Sequence, residues 1–127
     1  MSRLNQPTIA VLGASTDRQK FGNKCVRAYR AAGYQVFPIN LHGDEIEGLP
    51  VFRSVSDLPE DPDRISVYLP PSKTRALIPD LATRPGSQIW FNPGSADAQT
   101  LELARAAGID VRDGCSIVDI GVSPSQF

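Results

Sequence analysis

The sequence is poor in the residues that build metal centres, disulfide frameworks and hydrolytic sites. It has two cysteines, Cys25 and Cys115, and a single histidine, His42. The cysteines fall in no Cys-x-x-Cys or Cys/His spacing, so neither a zinc site nor a disulfide framework organises the chain. Each is read as a small buried hydrophobe. There is no Gly-x-Ser-x-Gly elbow. Cys115 would need a base to act as a nucleophile, and only a fold that brings His42 to it could supply one. The acids are scattered and form no pair suited to acid–base work, so catalysis by this chain alone is not expected. Neither charge sign is in excess: 13 Lys and Arg face 14 Asp and Glu, a net charge of −1. With no basic block, no nucleic-acid partner is expected. No apolar run nears the roughly 20 residues that span a bilayer. The first seven residues, MSRLNQP, lack a signal-peptide core and cleavage site. The expectation is a cytoplasmic protein without a membrane partner.

What is present is ordinary for a globular domain: 127 residues, 41% hydrophobic and 21% charged. One domain over 1–127 is expected, with 1–7 and 121–127 as loose termini. Apolar strand-like runs at 8–12, 35–39, 65–69, 88–91 and 109–111 alternate with helical patterns at 21–32, 73–82 and 97–107. Pro38 marks the end of the second strand, and Pro79 should break the 73–82 helix in two. In the first helix, Phe21, Cys25, Ala28, Tyr29 and Ala32 are expected to face inward. A turn at 54–58 and an extended piece at 117–120 complete the reading. The pattern predicts an α/β, Rossmann-like, doubly wound fold with a mainly parallel five-stranded sheet and helices on both faces.

The most informative stretch is IAVLGASTDRQKFGN, Ile9 to Asn23. Four apolar residues run into Gly13, Ala14, Ser15 and Thr16, a polar loop with Arg18 and Lys20 follows, and Phe21, Gly22 and Asn23 open a helix. A buried strand, a sharp turn at glycine and a helix N-terminus make an anion site, because unpaired N–H groups and the helix dipole converge there. Ligands of such folds lie beyond the carboxyl ends of the strands, where the strand order reverses. The segments reaching that edge are Gly13–Asn23, Pro38–Gly43 (with Ile39, Asn40 and His42), Leu69–Ser72 (with Pro70 and Pro71) and Asn92–Ser95 (with Gly94). A phosphate-bearing, nucleotide-type small molecule is the expected ligand. A nicotinamide dinucleotide fits poorly, since the loop lacks G-x-G-x-x-G and no acidic residue ends the second strand before Asp44.

Three groups of residues carry a resemblance: VLGAS (11–15) with KFGN (20–23); GYQVFPIN (33–40) with EIEG (45–48); and VYLPP (67–71) with IWFNPG (89–94). In order and spacing the chain resembles the stand-alone CoA-binding-domain family, relatives of the CoA-binding domain of the succinyl-CoA synthetase α subunit. The resemblance implies a Rossmann-like domain that holds the nucleotide end of coenzyme A. Carried over, Gly13, Ala14, Ser15 and Thr16 line the diphosphate, with Arg18 and Lys20 near its charges. Pro38, Ile39 and Asn40 border the adenosine, and Leu69, Pro70 and Pro71 cover the ligand's other side. Members often read Pro-Val-Asn-Pro-Lys after the second strand, the lysine serving the ribose 3′-phosphate; here Leu41-His42 replaces Pro-Lys. In synthetases of the related type the active histidine and acyl-handling parts lie in other domains. A non-catalytic CoA or acyl-CoA binding module is therefore the leading reading. The alternatives are an NAD(P)-type enzyme or subunit that needs a partner, and a ligand-free scaffold acting by protein contacts. A protein partner or homodimer is left open.

Overall fold

Thr8–Leu12 forms strand β1, and every one of its five residues is buried. A strand covered on both faces must lie inside a sheet, and β1 pairs in parallel with β2 (Gln35–Ile39) on one side and β5 (Arg64–Val67) on the other. The computed structural model describes residues 6–127. Between β2 and β5 lie a two-residue-strand hairpin, β3 (Glu45–Ile46) and β4 (Leu49–Pro50), and a 3₁₀ turn at Val55–Asp57. Strands β6 (Gln88–Phe91) and β7 (Asp110–Asp113) continue the sheet to the order β2-β1-β5-β6-β7, all parallel.

The helices are α1 (Phe21–Ala31), α2 (Pro71–Ala76), α3 (Ile78–Leu81), α4 (Ala98–Ala106) and α5 (Ser116–Asp119). One core layer joins Leu12, Ile39, Val67, Leu81 and Phe91 to the α2–α4 side. The other packs Ile9, Val11, Cys25, Tyr29 and Ile117 on the α1 side. The Rossmann-like doubly wound α/β fold read from the alternating pattern is the one observed. The strand order reverses between β1 and β5, which fixes where a ligand cleft opens.

Four local expectations need correction. The inner face of α1 is Gly22, Cys25, Val26, Ala28 and Tyr29, whereas Phe21 is 55% exposed and Ala32 also faces solvent. Phe21 shares a stripe with Cys25 and Tyr29 but is the helix's first residue, so it stands at the end of α1, in the wall of the cleft. Residues 117–120 are not extended but belong to α5 and its C-cap. The Ser116 N–H donates to Asn92 Oδ1 (2.9 Å) and the Ser116 carbonyl accepts from Tyr29 Oη (2.7 Å), which hold the chain in a turn. The tail from 121 is not loose: Ser123 caps a 3₁₀ turn at Pro124–Gln126, and Val122 and Phe127 pack on the α1-side core. At the other end, Pro7 is tied in, its carbonyl accepting from Gln35 N–H at 2.9 Å. Residues 1–5 of the expected loose N-terminus lie outside the described residues.

The α1-side core encloses a titratable group. Burial pushes the Cys25 thiol from its ordinary 9.0 up to about 11, opposed by hydrogen bonds from Ser66, Tyr68 and Ser116. Between those values the unfolded chain sheds a proton that the folded chain retains. Unfolding free energy therefore falls as pH rises from 9 toward 11, by up to about 2–3 kcal/mol. Denaturant midpoints at pH 8 and pH 10.5 should show that loss, and Cys25→Ala should remove part of it; an unchanged slope in the variant would contradict the assignment.

Candidate functional site

At the carboxyl ends of β2, β1, β5 and β6 the loops enclose a cavity of about 1070 Å³, the upper end of the size of small-molecule sites (about 300–1,000 Å³). The first loop contributes Gly13, Ala14, Ser15, Lys20, Phe21 and Gly22 to its wall, and the β2 loop contributes Ile39, Asn40 and His42. Leu69, Pro70 and Pro71 after β5 and Gly94 after β6 complete the expected residues that meet there.

The first loop is held by groups that the sequence reading assigned to the ligand. The N–H groups of Gly13 and Ala14 both donate to the Ile39 carbonyl at 3.2 Å, so they are engaged by β2. Asn40 Nδ2 donates to the Ala14 carbonyl at 2.6 Å and Asn23 Nδ2 to the Ser15 carbonyl at 2.9 Å. In α1, Asn23 and Lys24 N–H both donate back to the Lys20 carbonyl. The first-turn N–H groups of Phe21 and Gly22 have no intrahelical acceptor, and both residues line the cavity with the helix dipole behind them.

The close approach of α1 to β1 depends on two glycines. A Cβ on Gly22 would lie 2.3 Å from the Gly13 carbonyl oxygen, and one on Gly13 would lie 2.4 Å from the Tyr68 carbonyl oxygen. Gly13 also holds φ +91°. A side chain at Gly13 would thus collide with its neighbours' backbone.

Five expected residues stand outside the cavity wall. Thr16 is exposed in the loop. Arg18 points to the hairpin, 3.6 Å from Glu47 Oε1. Asn23 is fully buried and also donates to Glu47 Oε2 at 3.0 Å. Pro38 sits within β2, paired with Val11. Asn92 is buried, its amide donating to Ser66 Oγ (2.8 Å) and the Val67 carbonyl (2.9 Å). These last three side chains build the walls from behind. Glu47 itself has φ 51°, a rare conformation for a non-glycine residue, and is held there by Asn23, Arg18 and Arg30, the last donating to its carbonyl at 2.7 Å.

The wall also includes residues beyond the expected set. Lys73 of α2 joins Lys20, His42 and Arg53, so the cavity carries three permanent cations and an imidazole against one carboxylate, Asp80. Arg53 donates to the Asn40 carbonyl at 3.1 Å and lies 3.7 Å from Asp44 Oδ1. Val55 and Leu77 join Ile39 and Leu69 in the apolar part of the wall. Tyr68 borders the cavity, with its hydroxyl 3.5 Å from Ser116 Oγ, and burial pushes its pKa up. Ser95 closes the β6 side. Lys73 was signalled by its place in the first turn after Pro70-Pro71, and Ser95 ends the Asn92–Ser95 segment expected at this edge; Asp80 had no sequence signal. The wall thus carries a net positive charge although the chain's net charge is −1, with Arg53 partly balanced by Asp44. Among the described residues, no cluster of His, Cys, Asp or Glu could hold a metal ion, and no helix is long and apolar enough to cross a membrane.

Comparison with known proteins converges on one family. Residues 7–121 match the sequence family described as CoA binding domain. The chain is 31% identical over 67 residues to the α subunit of an ADP-forming acetate–CoA ligase II from Pyrococcus furiosus. That match covers 52% of this chain and 15% of the ligase subunit's length. A conserved hypothetical protein from P. furiosus superposes with a TM-score of 0.82 at 31% identity, covering 89% of this chain and 98% of that one. An acetyl-coenzyme A synthetase 1 from Ca. Korarchaeum cryptofilum superposes at 0.72 with 29% identity, covering 86% of this chain and 26% of the synthetase.

Proposed function

The chain belongs to the CoA binding domain family, and from that premise we propose that it binds coenzyme A or an acyl-CoA by the nucleotide-diphosphate end without catalysing a reaction on its own. One observation carries this reading: a large cleft at the sheet's switch point that is cationic along its rim and apolar on its walls. The diphosphate lies against the Phe21 and Gly22 N–H groups and the Lys20 ammonium. The adenosine lies between Ile39 and Val55 on one side and Leu69 and Leu77 on the other. His42 and Arg53 flank the 3′-phosphate.

A dinucleotide of the NAD type finds less support. The residue after β2 is Asn40, whose amide already donates to the Ala14 carbonyl, so no carboxylate is placed for a ribose hydroxyl. The similarity to a ligase α subunit and to a synthetase, each much longer than this chain, supports a role beside a catalytic partner. We place that role in the cytoplasm, as one of holding or delivering the cofactor.

Thermal shift against CoA, acetyl-CoA, NAD, NADP and ATP tests the reading. A ligand at a hundred times its dissociation constant stabilises by about 2.7 kcal/mol, a rise of several degrees in Tm. CoA and acetyl-CoA should give that rise, with NAD well below them. Exchanging His42 for Lys should enlarge the CoA shift and leave dephospho-CoA nearly unchanged, because only CoA has the 3′-phosphate to meet the new charge. Equal gains for both ligands would remove His42 from the 3′-phosphate position.

A further inference from the structure

The two edges of the sheet are finished differently. At β2 the chain takes up its own edge: the Phe52 N–H donates to the Pro38 carbonyl at 2.9 Å and the Asn40 N–H to the Phe52 carbonyl at 3.0 Å. Pro38 has no N–H to leave open. At β7, among the described residues, no further strand follows. Its Asp110, Arg112 and Asp113 are exposed, and Val111 is half-buried. The Gly114 N–H donates to the Phe91 carbonyl at 3.2 Å. Alternation along the strand then turns the N–H and C=O of Asp110 and Arg112 to β6, and those of Val111 and Asp113 away from the sheet.

An open strand edge is a template for another strand, and the side chains of β7 define which one. Asp110 and Arg112 are two positions apart and share a face of the sheet, where they pair at 3.0 Å. We propose that the outer edge of β7 joins the same edge of a second copy of this chain, antiparallel and centred on Val111. A two-fold axis normal to the sheet keeps each face on its own side, so it passes through a residue. Centred on Asp110, Arg112 or Asp113, it sets that charge against its own copy, which is unfavourable. Centred on Val111, it sets Asp110 opposite the partner's Arg112 and Arg112 opposite the partner's Asp110. The same register offers each Val111 N–H the partner's Val111 carbonyl and each Asp113 N–H the partner's Ile109 carbonyl. Asp-Val-Arg read in reverse is its own complement in charge, which is why a second copy fits. So short a contact buries little area, and the dimer is therefore transient and concentration-dependent.

Sedimentation velocity of the full chain, from micromolar to millimolar concentration, tests this. The parent should pass from monomer to dimer mass, less readily in high salt. Asp110→Arg and Arg112→Asp each leave a single sign at the two facing positions, so each alone should stay monomeric. Mixed in equal amounts the two variants should dimerise, because each strand then meets the opposite sign. The double exchange, Asp110→Arg with Arg112→Asp in one chain, should dimerise like the parent. Both positions are exposed and neither lines the cavity, so all variants should melt near the parent's temperature. A parent that stays monomeric throughout, a single reversal that dimerises as the parent does, or a mixture that stays monomeric would overturn the proposal.

Discussion

Gly22→Ala should cost the protein both stability and ligand. The new methyl would lie 2.3 Å from the Gly13 carbonyl oxygen and 3.3 Å from the Ala14 Cα, all backbone, so no rotamer change relieves it. Helix α1 must withdraw from the end of β1, at an expected cost of about 3 kcal/mol or more, at the severe end for single substitutions. For a domain of this size that is a fall in Tm of about 10 °C. The same withdrawal carries the Phe21 and Gly22 N–H groups off the diphosphate, so CoA affinity should fall by roughly a hundredfold, the scale of a lost charged hydrogen bond. Calorimetric melting and a CoA titration of the variant check the two effects separately. A variant that melts and binds like the parent would contradict the packing role of Gly22. Gly13 is a less informative target, because its substitution collides with the Tyr68 carbonyl and strains φ whatever the ligand does.

Lys20 and Arg18 should part company. Both lie in the first loop, but only Lys20 borders the cavity; Arg18 turns to Glu47. Lys20→Ala should weaken CoA about tenfold or more and flatten the salt dependence of binding, as expected for loss of a charge-assisted contact to phosphate. Arg18→Ala should leave CoA affinity within about threefold, since its ion pair is largely exposed. Titrations at two salt concentrations decide it. Equal losses for the two variants would restore Arg18 to the phosphate and undo the assigned geometry.

That pair shows where the sequence was legible. The buried β1 run, the glycine at its end and the alternation of periods fixed the sheet, because a strand with no polar face must lie inside a parallel sheet. Parallel topology then sent the loops after β1, β2, β5 and β6 to one edge. Thirteen of the expected residues therefore meet in one cavity, Gly13, Ser15, Lys20, Asn40, His42 and Pro71 among them. What failed was the direction of single side chains. Asn23 and Asn92 look in sequence like loop polar groups, yet both are buried and hold other loops in place. Asp80 reaches the cavity through helix rotation, which a short broken helix does not reveal in advance. The β3–β4 hairpin escaped because each strand has two residues and depends on Glu47 at positive φ, held by contacts from α1.

Competition calorimetry with CoA, dephospho-CoA and NAD tests the central claim most directly. The cationic rim at Lys20, Arg53 and Lys73, the imidazole of His42 and the missing carboxylate after β2 predict CoA first, dephospho-CoA modestly weaker, and NAD unable to displace CoA at comparable concentration. NAD binding more tightly than CoA, or a folded protein that binds neither, would contradict the account.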